Sequence, residues 1–285
     1  MIECPQRTLE LVAAIAKLPK EIRPCALIFE EPLGEYFPDE VANWTSTLRK
    51  TMDSNGWKSE WQEKENNARG MLLYHVHEQY GLANATVLDV LAAGGDGMWC
   101  SISEEGAPMG HACSAVALTN LARLGNKDVL TRYNMGSLVS AARRVASVTT
   151  GKPVSARQVV YGSGAVDVCF GFGSIAQGKR VDNIDYNGDG HIDELDRFSV
   201  ARLIGLKDPP VRISTLASSD LVVRRLTQCF GDKVMFTKQR SQILLLNIKE
   251  RLENNIKENY TERNQLGKLW NDLFSSDDSL TLIWV

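Results

Sequence analysis

Strand-like and helix-like segments alternate most clearly in residues 71–126, which read MLLYHVHEQYGLANATVLDVLAAGGDGMWCSISEEGAPMGHACSAVALTNLARLGN. The first run, MLLYHVH, has a β-like composition, and ATVLDVLAAGG has helical spacing with two glycines at its end. DGMWCSI is a second strand candidate, EEGAPMGH is a loop, and ACSAVALTNLARLGN is a strongly periodic helix. This order predicts parallel strands that are joined by crossover helices.

Another strand candidate precedes this stretch. Residues 25–32, CALIFEEP, form a short apolar run that ends at a proline, and residues 38–54 carry one apolar stripe at helical spacing. Residues 6–18 show the same helical spacing. Together these elements predict three parallel strands with their helices, and hence the α/β class.

The chain changes character after this region. Residues 132–150 are predicted to be helical, and further helices are indicated by a later stripe of apolar residues, Leu245, Ile248, Leu252 and Ile256. We therefore expect two domains, an α/β domain over residues 1–150 and a mostly helical C-terminal domain over residues 151–285.

Composition argues against several classes of protein. The chain has 285 residues, of which 44% are hydrophobic and 24% are charged, as in ordinary globular proteins. Its net charge of −3 does not indicate a nucleic-acid-binding surface, and no apolar run approaches the roughly 20 residues of a membrane span. The six cysteines are scattered without a CxxC pair, and the first residues lack a secretory signal pattern. We expect a cytoplasmic protein that binds neither nucleic acid nor membrane.

His75 and His77 end one of the predicted strands. Side chains alternate along a strand, so residues i and i+2 point to the same face, about 7 Å apart along the chain. Two imidazoles in this arrangement can bind one divalent ion, and the carboxyl ends of parallel strands form the active face of α/β barrels. The alternative is a pair of histidines that are hydrogen-bonded in the core or face solvent.

The flanks of this motif resemble the last strands of the DRE-TIM metallolyase superfamily, which includes 3-hydroxy-3-methylglutaryl-CoA lyase and isopropylmalate synthase. The family pattern is an HxH strand, a GLA-type turn, a helix ending in Ala-Gly, a strand with a small polar residue, and a glycine-rich loop leading to Gly-Asn-Ala. The counterparts here are His75 and His77, Gly81-Leu82-Ala83, Ala93-Gly94, Ser101-Ile102-Ser103 and Gly110-His111-Ala112. Residues 28–34 are similar to the preceding family strand. The resemblance covers residues 24–125 and implies a partial TIM barrel, its last three βα units.

The resemblance also implies a metal site and an activity. His75 and His77 would hold a divalent ion (Mn²⁺, Mg²⁺ or Zn²⁺) that polarises a 2-oxo or hydroxyl oxygen of the substrate and stabilises an enolate. His111 stands where the family has asparagine, and it is either a third ligand or a cap of the following helix. The loop lacks the cysteine that the lyases use. Glu105, or Glu104 beside it, is therefore a candidate proton carrier; the alternative is a solvated loop carboxylate.

The Asp-Arg-Glu signature that defines the family is not found before the first predicted strand. Three parallel strands cannot close a barrel of about 250 residues, and their open edges need partners. The pattern indicates an incomplete gene product, one part of a split enzyme or a remodelled, non-catalytic relative. We expect a homo-oligomer or a complementing barrel segment as partner.

Residues 185–196 match a calcium-binding loop of the EF-hand type. Oxygen-bearing side chains fall at loop positions 1, 3, 5 and 12, with glycine at position 6 and an apolar residue at position 8. The candidate ligands are Asp185, Asn187, Asp189, the backbone carbonyl of His191, and Asp196. The aspartate at the last position resembles the loops of dockerins. We predict Ca²⁺ bound as a structural clamp; the alternative is a polar turn that binds nothing.

Two functions are consistent with these patterns. The first is a divalent-metal-dependent carbon–carbon lyase, aldolase or Claisen-type synthase that acts on a 2-oxo acid or an acyl-CoA. The second is a non-catalytic, calcium-stabilised interaction module derived from such an enzyme. The HxH motif and the glycine-rich loop favour the first function, and the missing Asp-Arg-Glu strand favours the second.

Overall fold

The structure, a computed structural model, describes residues 4–59, 70–106, 108–165, 167, 204, 210–256, 258–274 and 276–283. The chain divides into two compact units, Met1–Val154 and Ser155–Val285. The first unit combines helices with a three-stranded parallel sheet, and the regular elements described in the second unit are helical. The predicted α/β class is confirmed at this level, and the barrel stays a prediction.

The regular elements of the first unit follow the predicted order. Its helices are α1 (Pro5–Ala16), α2 (Pro38–Ser54), α3 (Ala83–Ala92), α4 (Ser114–Arg123), α5 (Lys127–Arg132) and α6 (Met135–Thr150). Its strands are β1 (Ala26–Glu31), β2 (Met71–Val76) and β3 (Gly97–Trp99). The helix α5 has no counterpart among the predicted elements, because its six residues span less than two turns.

The central strand of the sheet is β2, which pairs in parallel with β1 and with β3. One face of β2 presents Leu72, Tyr74 and Val76, each at most 2% exposed. These side chains share a buried cluster with Leu48 and Met52 of α2. The period-2 alternation of β2 therefore buries one face of the sheet under its crossover helices.

The other face of the sheet, here called the open face, carries Ile28, Glu30, His75 and Trp99. Glu30 lies opposite His75 in the register of β1 with β2, and His75 lies opposite Trp99 in the register of β2 with β3. Ile28 is 45% exposed and Trp99 58% exposed. The carboxyl ends of the three strands thus align one carboxylate, one imidazole and one indole on an accessible face.

A buried ion pair joins α2 to the opposite, amino-terminal ends of β2 and β3. Arg49 donates hydrogen bonds to the backbone oxygens of Trp57 at 2.6 Å and Gly70 at 2.7 Å, and to Asp96 Oδ2 at 3.2 Å. Asp96 also accepts the backbone N–H of Leu72 at 2.7 Å. These bonds fix where β2 and β3 begin, and so where their carboxyl ends lie.

The second unit contains the helices α7 (Ser219–Phe230), α8 (Lys238–Glu253) and α9 (Arg263–Phe274), and a short 3₁₀ helix (Asp278–Leu280). Ser218 and Thr237 cap α7 and α8 with their side-chain oxygens. The indole Nε1 of Trp270, which is fully buried, donates to the backbone oxygen of Leu280 at 2.8 Å.

The apolar stripe that predicted a helix through Ile256 is only partly borne out. Leu245 and Ile248 are buried on α8, as expected of a core-facing stripe. The helix ends at Glu253, and Asn255 takes a left-handed conformation with φ 60°. Asparagine is one of the few residues that adopt this conformation at modest cost, which is why the helix stops before Ile256.

The predicted calcium loop, residues 185–196, lies outside the described residues. Its candidate ligands, Asp185, Asn187, Asp189, His191 and Asp196, therefore remain sequence-based predictions.

Candidate metal centre

Strand β2 brings His75 and His77 together. His75 is the penultimate residue of the strand, and His77 follows directly after its end. The strand alternation continues through Val76, so both imidazoles lie on the open face, with ring centroids 4.7 Å apart. The predicted pairing of these two histidines on one face is confirmed.

The loop after β3 brings His111 to the same place. His77 and His111 form an antiparallel β-bridge, supported by hydrogen bonds from Glu78 N to Gly110 O and from Ala112 N to Val76 O, both at 3.2 Å. The bridge brings the His111 ring centroid within 4.8 Å of that of His75 and within 4.7 Å of that of His77.

Gly110 lets the loop turn tightly enough to form this bridge. Its φ is +78°, a conformation that favours glycine, and a Cβ at this position would lie 2.7 Å from the backbone oxygen of Glu104. The same oxygen accepts the backbone N–H of His111 at 3.1 Å. Gly110, which the sequence places in a glycine-rich loop, therefore leaves room for the backbone of Glu104 next to His111.

The three-histidine cluster, His75, His77 and His111, could hold a metal ion. Each imidazole offers one nitrogen such that the three atoms lie within 4.8 Å of one another. Tetrahedral ligands at bond lengths of about 2.1 Å are roughly 3.4 Å apart, so small side-chain adjustments would close the cluster around an ion. His75 Nε2 and His77 Nδ1 are also buried without a hydrogen-bond partner. Unpartnered buried nitrogens fit a site that a cation completes.

Two polar side chains outside the cluster contact the imidazoles, Glu30 and Ser101. Glu30 Oε1 lies 3.1 Å from His77 Nε2 and 3.7 Å from His75 Nδ1. Ser101 Oγ lies 3.2 Å from His111 Nδ1. Neither residue stands out as a candidate site residue in the sequence alone. A charged side chain at the end of an apolar strand parallel to the HxH strand was the signal that could have identified Glu30.

Burial lowers the pKa of His75 and of His111, and the neighbouring His77 imidazole lowers both further. The Glu30 carboxylate acts in the opposite direction on both groups. The net effect favours the neutral form of these two imidazoles, which is the form in which histidine binds a metal.

Trp99 forms one wall of the candidate site. Its indole stacks on the His75 imidazole with a centroid distance of 5.2 Å and an interplanar angle of 14°. The indole restricts the rotation of the His75 ring on one side. The opposite surface of the indole faces solvent.

Carboxylates lie on both segments that carry the histidines. The Glu105 carboxylate accepts a hydrogen bond from the buried hydroxyl of Ser103. Glu78 Oε1 is buried without a hydrogen-bond partner, and burial, with the nearby charge of Glu104, raises the pKa of Glu78. The proton-carrier role of Glu105 stays a prediction, and Glu78 is a second carboxyl near the cluster.

Two thiols lie near the glycine-rich loop. Cys100 Sγ is 2.8 Å from Ser114 Oγ, and Cys113 is fully buried. Burial raises the pKa of Cys113 to about 12 and raises that of Cys100 as well. Both thiols are therefore protonated near neutral pH, as expected of structural cysteines rather than nucleophiles.

Comparison of the chain with models of known protein families gives no match, and comparison with curated proteins gives no significant relative. Among the described residues, none of the helices combines the length and the apolar character that crossing a membrane requires.

Proposed function

We propose that this chain is a divalent-metal-dependent enzyme that forms or breaks a carbon–carbon bond next to a carbonyl group. The substrate would be a 2-oxo acid or an acyl-CoA. The observation that carries the proposal is the three-histidine cluster at the carboxyl end of β2, on an accessible face of a parallel sheet. The sequence resemblance to metallolyases supplies the class of reaction.

The donor set of three imidazoles argues against Mg²⁺ among the candidate metals. Three imidazole nitrogens suit Zn²⁺ or a similar transition-metal ion, whereas Mg²⁺ prefers oxygen ligands and retained water. When bound, such an ion acts as a Lewis acid on a carbonyl oxygen. The neutral imidazoles of His75 and His111 are ready to coordinate without first losing a proton.

The remaining side chains would act on the substrate around the cluster. Trp99 supplies a flat apolar wall beside His75, against which the carbon skeleton of a small acid can pack. We propose that Glu105 transfers the proton, with Ser103 orienting its carboxylate. The exposed Ile28 and Trp99 on the open face support a further protein partner, a complementing barrel segment or a second copy of the chain.

Two other parts of the proposal come from the cysteines and the acidic loop. The five described cysteines, Cys4, Cys25, Cys100, Cys113 and Cys229, are all free, which supports a cytoplasmic location. The loop at residues 185–196 would bind Ca²⁺ separately from the histidine site.

Metal analysis of the purified full chain tests this proposal. We expect the wild type to retain a transition-metal ion and Ca²⁺. The double variant His75→Ala/His77→Ala should lose the transition metal alone, and Asp185→Ala/Asp189→Ala should lose Ca²⁺ alone. If the histidine variant retains its full metal content, the histidine site is refuted.

Activity is tested on the metal-loaded wild type with 4-hydroxy-2-oxo acids and with 3-hydroxyacyl-CoA compounds. Release of a 2-oxo acid is followed with a coupled dehydrogenase, and cleaved acyl-CoA by product chromatography. Cleavage that disappears in the histidine variant supports the enzyme. A metal-loaded wild type that cleaves neither class of substrate refutes the lyase and favours the non-catalytic module.

A further inference from the structure

A single carboxylate oxygen contacts two imidazoles of the cluster. Glu30 Oε1 is 3.1 Å from His77 Nε2, within hydrogen-bond distance, and 3.7 Å from His75 Nδ1. The parallel register of β1 with β2 is the cause, because it sets Glu30 directly opposite His75, with His77 two residues further along the same face.

The other nitrogens of the same two rings have no partner. His75 Nε2 and His77 Nδ1 are both buried and without a hydrogen bond. On each ring, therefore, one nitrogen faces Glu30 and the other is left free in a buried position. His111 follows the same arrangement in part, because its Nδ1 contacts Ser101 Oγ.

We propose that Glu30 is a positioning residue of the metal centre: its hydrogen bond holds the proton on His77 Nε2, and its nearby charge favours a proton on His75 Nδ1, so that His77 Nδ1 and His75 Nε2 coordinate the ion. This inference rests on the metal site proposed above. A neutral imidazole carries its proton on one nitrogen and its lone pair on the other, so a hydrogen bond to one nitrogen selects the coordinating one. Carboxylates commonly orient metal-binding histidines in this way.

The geometry assigns Glu30 to this outer role rather than to the metal itself. Within the described part of the chain, the group of side chains with ligand atoms inside 4.8 Å consists of the three histidines, without Glu30. If Glu30 were itself a ligand together with the nitrogens that it contacts, the two buried unpartnered nitrogens, His75 Nε2 and His77 Nδ1, would stay unused.

Three variants of the full chain test the role of Glu30. Glu30→Ala removes the hydrogen-bond acceptor, and Glu30→Gln keeps an acceptor oxygen but removes the charge. Glu35→Ala removes one exposed carboxylate on the same segment and serves as the matched control. Zn²⁺ affinity is measured by competition with a chromophoric chelator, and circular dichroism checks that each metal-free variant is folded.

We expect Glu30→Ala to bind Zn²⁺ roughly 10- to 100-fold more weakly than the wild type, the usual cost of losing an outer partner of a metal ligand. Glu30→Gln should lose less Zn²⁺ affinity, because its side-chain oxygen still accepts a hydrogen bond from His77. Glu35→Ala should bind Zn²⁺ as tightly as the wild type does. Equal affinity of Glu30→Ala and wild type overturns the inference while leaving the metal site intact. Equal losses in Glu30→Gln and Glu30→Ala also overturn it, because charge alone would then explain the effect.

Nitrogen NMR of the Zn²⁺-loaded protein with ¹⁵N-labelled histidine shows which ring nitrogens coordinate the ion. It therefore distinguishes a positioning role of Glu30 from a purely structural one. The expected result is coordination through His75 Nε2 and His77 Nδ1. Coordination of the ion through His77 Nε2 would contradict the inference, because Glu30 would then have to be displaced or become a ligand. A wild type that binds no Zn²⁺ refutes the proposed metal site itself, a result distinct from failure of the Glu30 variants alone.

Discussion

Gly106 lies against the His111 imidazole, and replacing it with alanine should disable the metal centre without a large structural change. Gly106 has φ +117°, and a Cβ at this position would lie 2.6 Å from His111 Nδ1 and 3.0 Å from Ser101 Oγ. The added methyl group therefore meets the imidazole and its hydrogen-bond partner at once.

The size of the effect follows from these distances. Ordinary van der Waals contact begins at 3.4 Å, so the imidazole must retreat by about 0.8 Å. Metal–ligand distances tolerate deviations of only about 0.2 Å, so this retreat removes His111 from the coordination set. We expect Zn²⁺ affinity to fall at least as much as the roughly 10- to 100-fold that loss of an outer partner causes.

Gly125→Ala is the matched control. Gly125 also has a positive φ, +91°, but nothing lies within 4 Å of the position of its Cβ. Both variants bear the cost of placing an alanine at a strongly positive φ, about 1–3 kcal/mol in the free energy of unfolding. Only Gly106→Ala adds the contact with His111, so the difference between the two variants isolates the displacement of the ring.

Calorimetric titration with Zn²⁺ and urea unfolding of both variants provide the measurements. We expect similar losses of stability in the two metal-free variants and a loss of affinity in Gly106→Ala alone. If Gly106→Ala binds Zn²⁺ as tightly as Gly125→Ala, then His111 is not a ligand and the reasoning is refuted.

Three further predictions concern stability. Arg49→Met should lower the free energy of unfolding by about 3–5 kcal/mol, because it leaves the buried carboxylate of Asp96 without its cation. Urea unfolding measures this loss. Lys50→Met, at an exposed position, is the control and should show no comparable loss. Metal-free protein should lose stability as the pH falls from about 7.5 to about 5, since the lowered pKa values of His75 and His111 let the unfolded chain bind more protons than the folded chain. Thermal unfolding across this pH range measures the change in stability. A stability that does not change with pH, or that falls as steeply in the His75→Gln variant, contradicts the prediction. Trp270→Phe should cost about 1–3 kcal/mol in urea unfolding, because a buried backbone oxygen loses its donor; an unchanged midpoint would show that this hydrogen bond contributes nothing.

Much of the local structure could be predicted because it depends on residue periodicity. The strand MLLYHV and the helices that flank it begin and end close to where apolar spacing, prolines and glycines indicate. The error at Ile256 has the same origin, since the spacing of apolar residues continues past a left-handed Asn255 that ends the helix. The spacing of apolar residues does not reveal a single residue that takes a special backbone conformation.

The metal centre was predicted in part. The sequence indicated His75 and His77 through strand alternation, and His111 through a resemblance in the glycine-rich loop. It did not indicate Glu30, because a carboxylate in one strand meets an imidazole in the next only in a particular register. The same holds for Trp99, whose stacking on His75 depends on the pairing of β3 with β2.

The sequence by itself determined that two imidazoles share one face of a strand, because alternation is a property of the extended backbone and needs no partner. The tertiary structure decided what surrounds them. The return of the loop to β2 delivers His111, the register of β1 delivers Glu30, and the register of β3 delivers Trp99. Each of these contacts joins segments that are distant in the chain. Their closure is unfavourable in entropy and is stabilised only by the burial and backbone hydrogen bonding of the whole sheet.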